Sequence, residues 1–253
     1  MIEREQLEKV LVLRLKSPPS NVLSLRLLEA LTREIEQVAK DPSVRCLVIA
    51  SALPKYFSSG LDLSELTSLP PERQDEPFKA LLGAYRALYS MPKPTVACLE
   101  GNAILGGWII ALAADFRVAS QEARIALSEI RFGLSPTSLL IERMREISSS
   151  PTLIKEMVLR GRTLRAPEAL AGGFLDQVAE GPAIEEALRE ARSLAKLSPL
   201  GYASVKRSLQ LRGASPELWE RSMAEFGELF KHESTREGIS AMRDKRRPRW
   251  EEI

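Results

Sequence analysis

Short, branched apolar runs alternate with amphipathic stretches along most of this chain, and few folds accommodate that order. VLVLRLK (10–16), CLVIAS (46–51) and TVACLE (95–100) have the length and branching of buried strands. Between them, Leu25 to Ala39 carries Leu27, Leu28, Leu31, Ile35 and Val38 on one helical stripe, and Phe78 to Tyr89 repeats that spacing. Tyr85, Tyr89 and Phe78 read as a helix face packed on the core. SPPSN (17–21), Asp41-Pro42, SLPPERQDEP (68–77) and the Pro92/Pro94 pair punctuate the elements. GNAILGG (101–107) reads as a loop, WIIALAADF (108–116) as an apolar helix, and RVAS with ARIALSEI (117–130) as further strand. Strands alternating with helices imply one α/β domain, and no stretch looks like an interdomain linker.

The last third changes character. Residues 151–161, 166–172, 183–197, 199–212 and 215–230 read as helices, with a short strand at Asp176 to Val178. The expected organisation is an α/β core over 1–195 and a helical C-terminal region over 196–253 that packs on the core or on a neighbouring subunit.

Composition removes several function classes. A chain of 253 residues with 44% apolar side chains buries a full core without disulfides or metals. Lys+Arg 36 against Asp+Glu 34 leaves a net charge of +2, too small for a dedicated nucleic-acid binder or a polybasic membrane protein. Cys46 and Cys98, in apolar runs, support neither a disulfide scaffold nor a Cys-rich zinc site and fit a reducing compartment. His232 is the single histidine, so a His-based metal centre or a Ser-His-Asp triad fits poorly. The chemistry must rest on carboxylates, hydroxyls, lysines or backbone amides. MIEREQLEKV has no signal-peptide core, no run approaches the roughly 18 apolar residues of a membrane span, and RWEEI is neither a peroxisomal address nor a prenylation box. The expectation is a cytoplasmic protein, or a mitochondrial-matrix one if a transit peptide is removed.

Three segments can carry chemistry. Phe57-Ser58-Ser59-Gly60-Leu61-Asp62-Leu63 follows a strand, and a glycine among small residues there lets backbone amides point outward. Asp62 can cap a helix through Glu65. Leu105-Gly106-Gly107-Trp108 opens an apolar helix, whose N-terminus favours a bound or developing anion. Both segments also fit ordinary tight turns. Glu129, in ALSEIRFG, has apolar neighbours; desolvation there raises a carboxyl pKa and suits a general base. Strand alternation could instead point it to solvent. RDKRRPR (243–249) could meet phosphates, but reads better as a charged helix end, and His232 as a solvated residue at a polar helix end.

Taken in order, these segments resemble the crotonase superfamily, the enoyl-CoA hydratase/isomerase family. The resemblance runs through FSSGLDLSEL (57–66), KPTVACLEGNAILGGWIIALAADFRVAS (93–120), ALSEIRFGLSP (126–136) and GRTLRAPEALAGGFLDQV (161–178). KSPPSNVLSL (16–25) and SSGLDLSEL are most similar to the mitochondrial-type Δ3,Δ2-enoyl-CoA isomerase branch. The resemblance implies a ClpP-like spiral of ββα units whose helical C-terminal region builds a homotrimer or a dimer of trimers.

It also implies an acyl-CoA thioester substrate of fatty-acid β-oxidation, with CoA as part of the substrate and neither cofactor nor metal. The thioester oxygen would lie between the N–H groups of Leu61 and Gly106, with Glu129 as acid and base. Ser59, Gly60, Asp62, Leu63, Leu23, Ser24, Gly107, Trp108, Ile109, Leu134 and Pro136 would bind substrate. Hydratases of the family carry a second glutamate whose matching position here is Ile109, and one carboxylate suffices to move a proton from C2 to C4. The expected activity is therefore conversion of 3-enoyl-CoA to 2-enoyl-CoA. Hydration, dehydration or thioester hydrolysis are the alternatives, with Glu156 or Glu142 as a displaced second carboxylate, and a non-catalytic RNA-binding relative is a further one. Two departures stand out: Leu105 replaces a glycine of the usual triplet, and Pro136-Thr137-Ser138-Leu139-Leu140 replaces the hydratases' glycine-rich loop.

Overall fold

The computed structural model describes residues 1–210 and 215–250, apart from the Pro71 side chain. The chain opens with a hairpin, β1 (Ile2–Leu7) and β2 (Val10–Leu15), followed by α1 (Leu25–Lys40). Three ββα units follow. The first is β3 (Cys46–Ser51), β4 (Tyr56–Ser58), a short α2 (Leu63–Ser68) and α3 (Glu76–Tyr89); the second is β5 (Thr95–Leu99), β6 (Asn102–Ile104) and α4 (Gly106–Ala113). The third is β7 (Phe116–Ala119), β8 (Arg124–Ala126), a 3-10 turn at Glu129–Phe132 and α5 (Thr137–Ile147). Then come α6 (Pro151–Arg160), β9 (Leu164–Arg165), α7 (Ala166–Ala171), β10 (Gln177–Val178), α8 (Ala183–Leu194), α9 (Pro199–Leu209), α10 (Pro216–Lys231) and α11 (Glu233–Arg243).

The first strand of each unit joins a large sheet of order β1-β2-β3-β5-β7-β10, and the second joins a small sheet of order β4-β6-β8-β9. Pairing is parallel except at β1/β2 and β8/β9. The spiral of ββα units expected from the resemblance is therefore present.

The inner strands β2, β3 and β5 of the large sheet are covered on both faces, which is why they are continuous apolar runs rather than alternating ones, whereas the edge strand β1 is polar and largely exposed. One face sends Leu11, Leu13, Leu15, Leu47 and Ile49 into a core with α1, α3 and α4. The other sends Val12, Val48, Val96 and Val118 against Ala183, Ala187 and Ala191 of α8, alanines four apart that let the helix approach closely.

Several elements differ from the sequence reading. β1 and α5 were not anticipated, nor was α11, and Asn102–Ile104 is strand rather than loop. The apolar helix spans 106–113 rather than 108–116, because Phe116 already belongs to β7. Glu129 lies on a 3-10 turn rather than on a strand. The helix expected over 199–212 covers 199–209; residues 211 and 212, and the last three residues of RWEEI, lie outside the described residues. No helix among the described residues is long and apolar enough to cross a membrane.

Candidate active site

The three chemical segments sit at the carboxyl ends of three neighbouring parallel strands of the small sheet. β4 exits into Ser59–Asp62, β6 into Leu105–Gly106, and β8 into Leu127–Glu129. Ligands of parallel α/β sheets gather at such strand ends.

The first exit is fastened to the segment before α1. Ser59 N–H donates to Ser20 O at 3.1 Å, Leu23 N–H to Gly60 O at 2.8 Å, and Asp62 N–H to Leu23 O at 3.2 Å. Buried Asn21 donates from Nδ2 to Ser51 Oγ at 2.8 Å and to Phe57 O at 3.0 Å. Leu23 and Leu61 thus form an isolated parallel bridge in which Leu61's flanking residues make the bonds, so its own N–H points the other way. Asp62 caps α2 by accepting from Ser64 and Glu65 N–H, at 2.9 and 3.2 Å.

At the second exit, Leu105 N–H donates to Ala126 O at 2.8 Å, tying the β6 and β8 ends together. Leu105 takes φ +51°, a left-handed value that costs a non-glycine residue strain. Gly106 is the first residue of α4, so its N–H has no intrahelical acceptor. A Cβ at Gly107 would stand 2.4 Å from Ser58 O, so only glycine lets α4 lie against β4. A Cβ on Gly60 would come within 3.2 Å of Gly106 N, which puts the two donor segments in contact.

Glu129 begins the 3-10 turn after β8 and is 9% exposed. Burial pushes its carboxyl up to about 8, and no charged neighbour contributes. Its Oε2 has no hydrogen-bond partner among the described residues. A desolvated carboxyl that no charged side chain engages is poised to take and return a proton near neutral pH.

These groups border a cavity of about 300 Å³ lined mainly by apolar side chains. Of the residues expected from the sequence, Ser59, Leu61, Asp62, Leu63, Gly106, Ile109, Glu129, Leu134 and Pro136 line it. Gly60, Leu23, Ser24, Gly107 and Trp108 do not. Leu23 and Gly60 hold the Leu61 segment from behind, Ser24 caps α1, and Gly107 packs on β4. Trp108 is fully buried with its ring edge-on to Phe174, 6.4 Å between centroids, because α4 is apolar on every side and Trp108 points away from the cavity. Glu142 and Glu156 are absent from the lining; they pair with Arg145 and Arg160 on their own helices.

The sequence reading missed the far wall. Leu81, Phe226, Ile239 and Met242 line the cavity, and so does Phe78, beyond its expected place in the core. The Phe78 and Phe226 rings stack at 3.5 Å. Trp219, Phe226 and Phe230, at helical spacing along α10, were the available signal.

A spiral of ββα units whose apolar cavity is lined by Leu61, Gly106 and the buried carboxyl of Glu129 is the architecture of a crotonase-type protein. The chain belongs to the enoyl-CoA hydratase/isomerase family, whose model matches residues 5–253. It is 32% identical over 250 residues to a Bacillus subtilis protein named probable enoyl-CoA hydratase, covering 95% of each chain. It is 30% identical to carnitinyl-CoA dehydratase of Salmonella typhi over 251 residues, 95% of this chain and 94% of that one. Human mitochondrial Δ3,Δ2-enoyl-CoA isomerase shares the fold at a TM-score of 0.90, with 24% identity over 96% of this chain and 97% of that one.

Proposed function

We propose that the protein is an acyl-CoA double-bond isomerase that converts 3-enoyl-CoA to 2-enoyl-CoA. The observation that carries this reading is the single unengaged carboxyl in the cavity. Among the described residues, Glu129 and Asp62 are the two acidic side chains lining it, and Asp62 is occupied in capping α2. Ile109, where the hydratase pattern has its other glutamate, also lines the cavity and transfers no proton.

Glu129 removes a proton from C2 of the bound 3-enoyl thioester. The electron pair passes through the carbonyl into the dienolate oxygen, which lies between the Leu61 and Gly106 N–H groups. Fixed donors aimed at developing charge need no reorganisation, and losing one typically costs about 2.7–4 kcal/mol of barrier. The protonated Glu129 then delivers its proton to C4, so atoms and charge balance and the carboxylate is regenerated. The apolar wall of Ile109, Leu134 and Phe226 suits the acyl chain. A homotrimer, or a dimer of trimers, is part of the same proposal; the exposed Leu200 and Leu209 on α9 support a subunit contact there.

The second reading is hydration or dehydration, which the names of the relatives above favour. It would require Asp62 to leave its cap and act on water. Incubation with a 3-enoyl-CoA in heavy water, with NMR of product and deuterium, beside hydration of a 2-enoyl-CoA, separates the two. A dominant hydration rate rejects the isomerase.

A further inference from the structure

We propose that Thr235 is a positioning residue for Glu129, its hydroxyl pinning the turn that carries the carboxylate to the C-terminal helices so that the carboxylate faces the cavity and not water. The inference rests on Glu129 being the acid and base of the proposed reaction.

The turn is a single four-residue 3-10 element. Arg131 N–H donates to Ser128 O at 3.0 Å, Leu134 N–H to Glu129 O at 3.1 Å, and Gly133 N–H is shared between Glu129 O and Ile130 O, the latter at 3.3 Å. A single 3-10 turn of that kind has little stability alone. Its exit residue, Gly133, presents its carbonyl to fully buried Thr235, whose Oγ1 lies 2.9 Å from Gly133 O and 2.7 Å from Leu229 O. One hydroxyl proton thus bridges the end of the catalytic turn and the end of α10.

The rest of α11 is built around the same contact. Thr235, Gly238, Ile239 and Met242 share one helical face. A Cβ at Gly238 would stand 2.4 Å from Phe132 O, so the helix backbone rests directly on the turn, while Ile239 and Met242 line the cavity beside it.

The frame that Thr235 fastens to has its own anchor. Glu225 of α10 accepts from Ser138 N–H at 2.8 Å and from Ser138 Oγ–H at 2.6 Å, and Ser222 Oγ accepts from Leu139 N–H at 2.9 Å. Helix α10 is therefore bolted to α5 without Thr235. Removing the hydroxyl loosens the Gly133 end of the turn from a frame that stays in place, while the Gly238 contact with Phe132 remains.

The test uses the full chain carrying carboxyl-¹³C glutamate, with Thr235→Val, Thr235→Ala and Thr235→Ser, and with Glu129→Gln to assign the Glu129 resonance. Wild type should titrate near the burial-raised value of about 8. In Thr235→Val the midpoint should drop by at least one pH unit as water reaches the carboxylate. Isomerase kcat should fall about tenfold or more with KM changed less than about twofold, and Thr235→Ser should restore both. A folded Thr235→Val with wild-type midpoint and kcat overturns the proposal. If Val and Ala variants both fail to fold, the hydroxyl is a folding element and the positioning role is rejected. The NMR titration needs no substrate: a midpoint that moves in an enzyme without isomerase activity upholds the positioning role and sinks only the isomerase reading.

Discussion

The two sheets divide the labour of this molecule. The large sheet has strands of up to six residues, and its inner strands β2, β3 and β5 are buried on both faces, by α8 on one side and by α1, α3 and α4 on the other. Three neighbouring strands of the small sheet, β4, β6 and β8, have three residues each, yet each runs directly into one part of the candidate site. The inner strands of the first sheet lie in the core, and the candidate chemistry lies at the exits of the second. A short strand keeps its exit close to the frame on which it pairs, so the backbone donors and the carboxyl are held rigidly without belonging to the core.

If that division holds, side-chain substitutions at the small-sheet exits should remove activity while sparing stability, those in the large sheet should do the reverse, and a change at the tightly packed Gly107 should cost both. The largest loss is expected for Glu129→Gln, which should cut kcat roughly 10²- to 10⁴-fold in steady-state assays while leaving the circular dichroism spectrum and CoA binding unchanged. Gly107→Ala comes next. Its Cβ would drive α4 off Ser58 and move the Gly106 donor, so kcat should fall by about 10²-fold, the order of losing one such donor. A Gly107→Ala enzyme with wild-type kcat would show that the donor geometry does not depend on the β4–α4 contact.

The pH dependence follows from the raised carboxyl. The ionised form is the base, so kcat/KM should climb with pH and level off above about 8. Stability runs in the opposite direction. Between the ordinary carboxylate value and about 8 the native state keeps a proton that the unfolded chain has lost, so stability falls by about 1.4 kcal/mol per pH unit across that window. Urea denaturation should find Glu129→Gln more stable than wild type at pH 9, with the gap closing toward pH 5.

The smallest effect on catalysis is expected from Ile49→Ala, in the fully buried β3. It should cost about 2–5 kcal/mol of unfolding free energy, yet leave kcat per folded molecule within about twofold. A large fall in kcat with little loss of stability would erase the contrast between the sheets.

Most of the large-sheet side of this contrast was readable in the chain. VLVLRL, CLVIAS and TVACL declare themselves because an element long enough to bury whole faces needs a continuous apolar run. The stripes of α1 and α3 follow from the same need on a helical period. The glycine-flanked exits at 57–63 and 105–108 and the acidic residue among apolar neighbours were legible as residue types, and Asp62 takes the capping place its spacing with Glu65 implied.

Local pattern was silent elsewhere because the determining contacts are distant. A three-residue strand such as Asn102–Ile104 has no period, and its ladder partners lie in two other units, so only their assembly makes it a strand. Whether Glu129 faced water or the cavity depended on a 3-10 turn backed by Thr235 and Gly238, more than a hundred positions away for the first of these bonds. Trp108 and Ile109 are adjacent and equally apolar, yet one fills the space behind α4 and the other lines the cavity. On a helix apolar all round, composition cannot rank the faces, and the packing of the neighbouring elements sorts them.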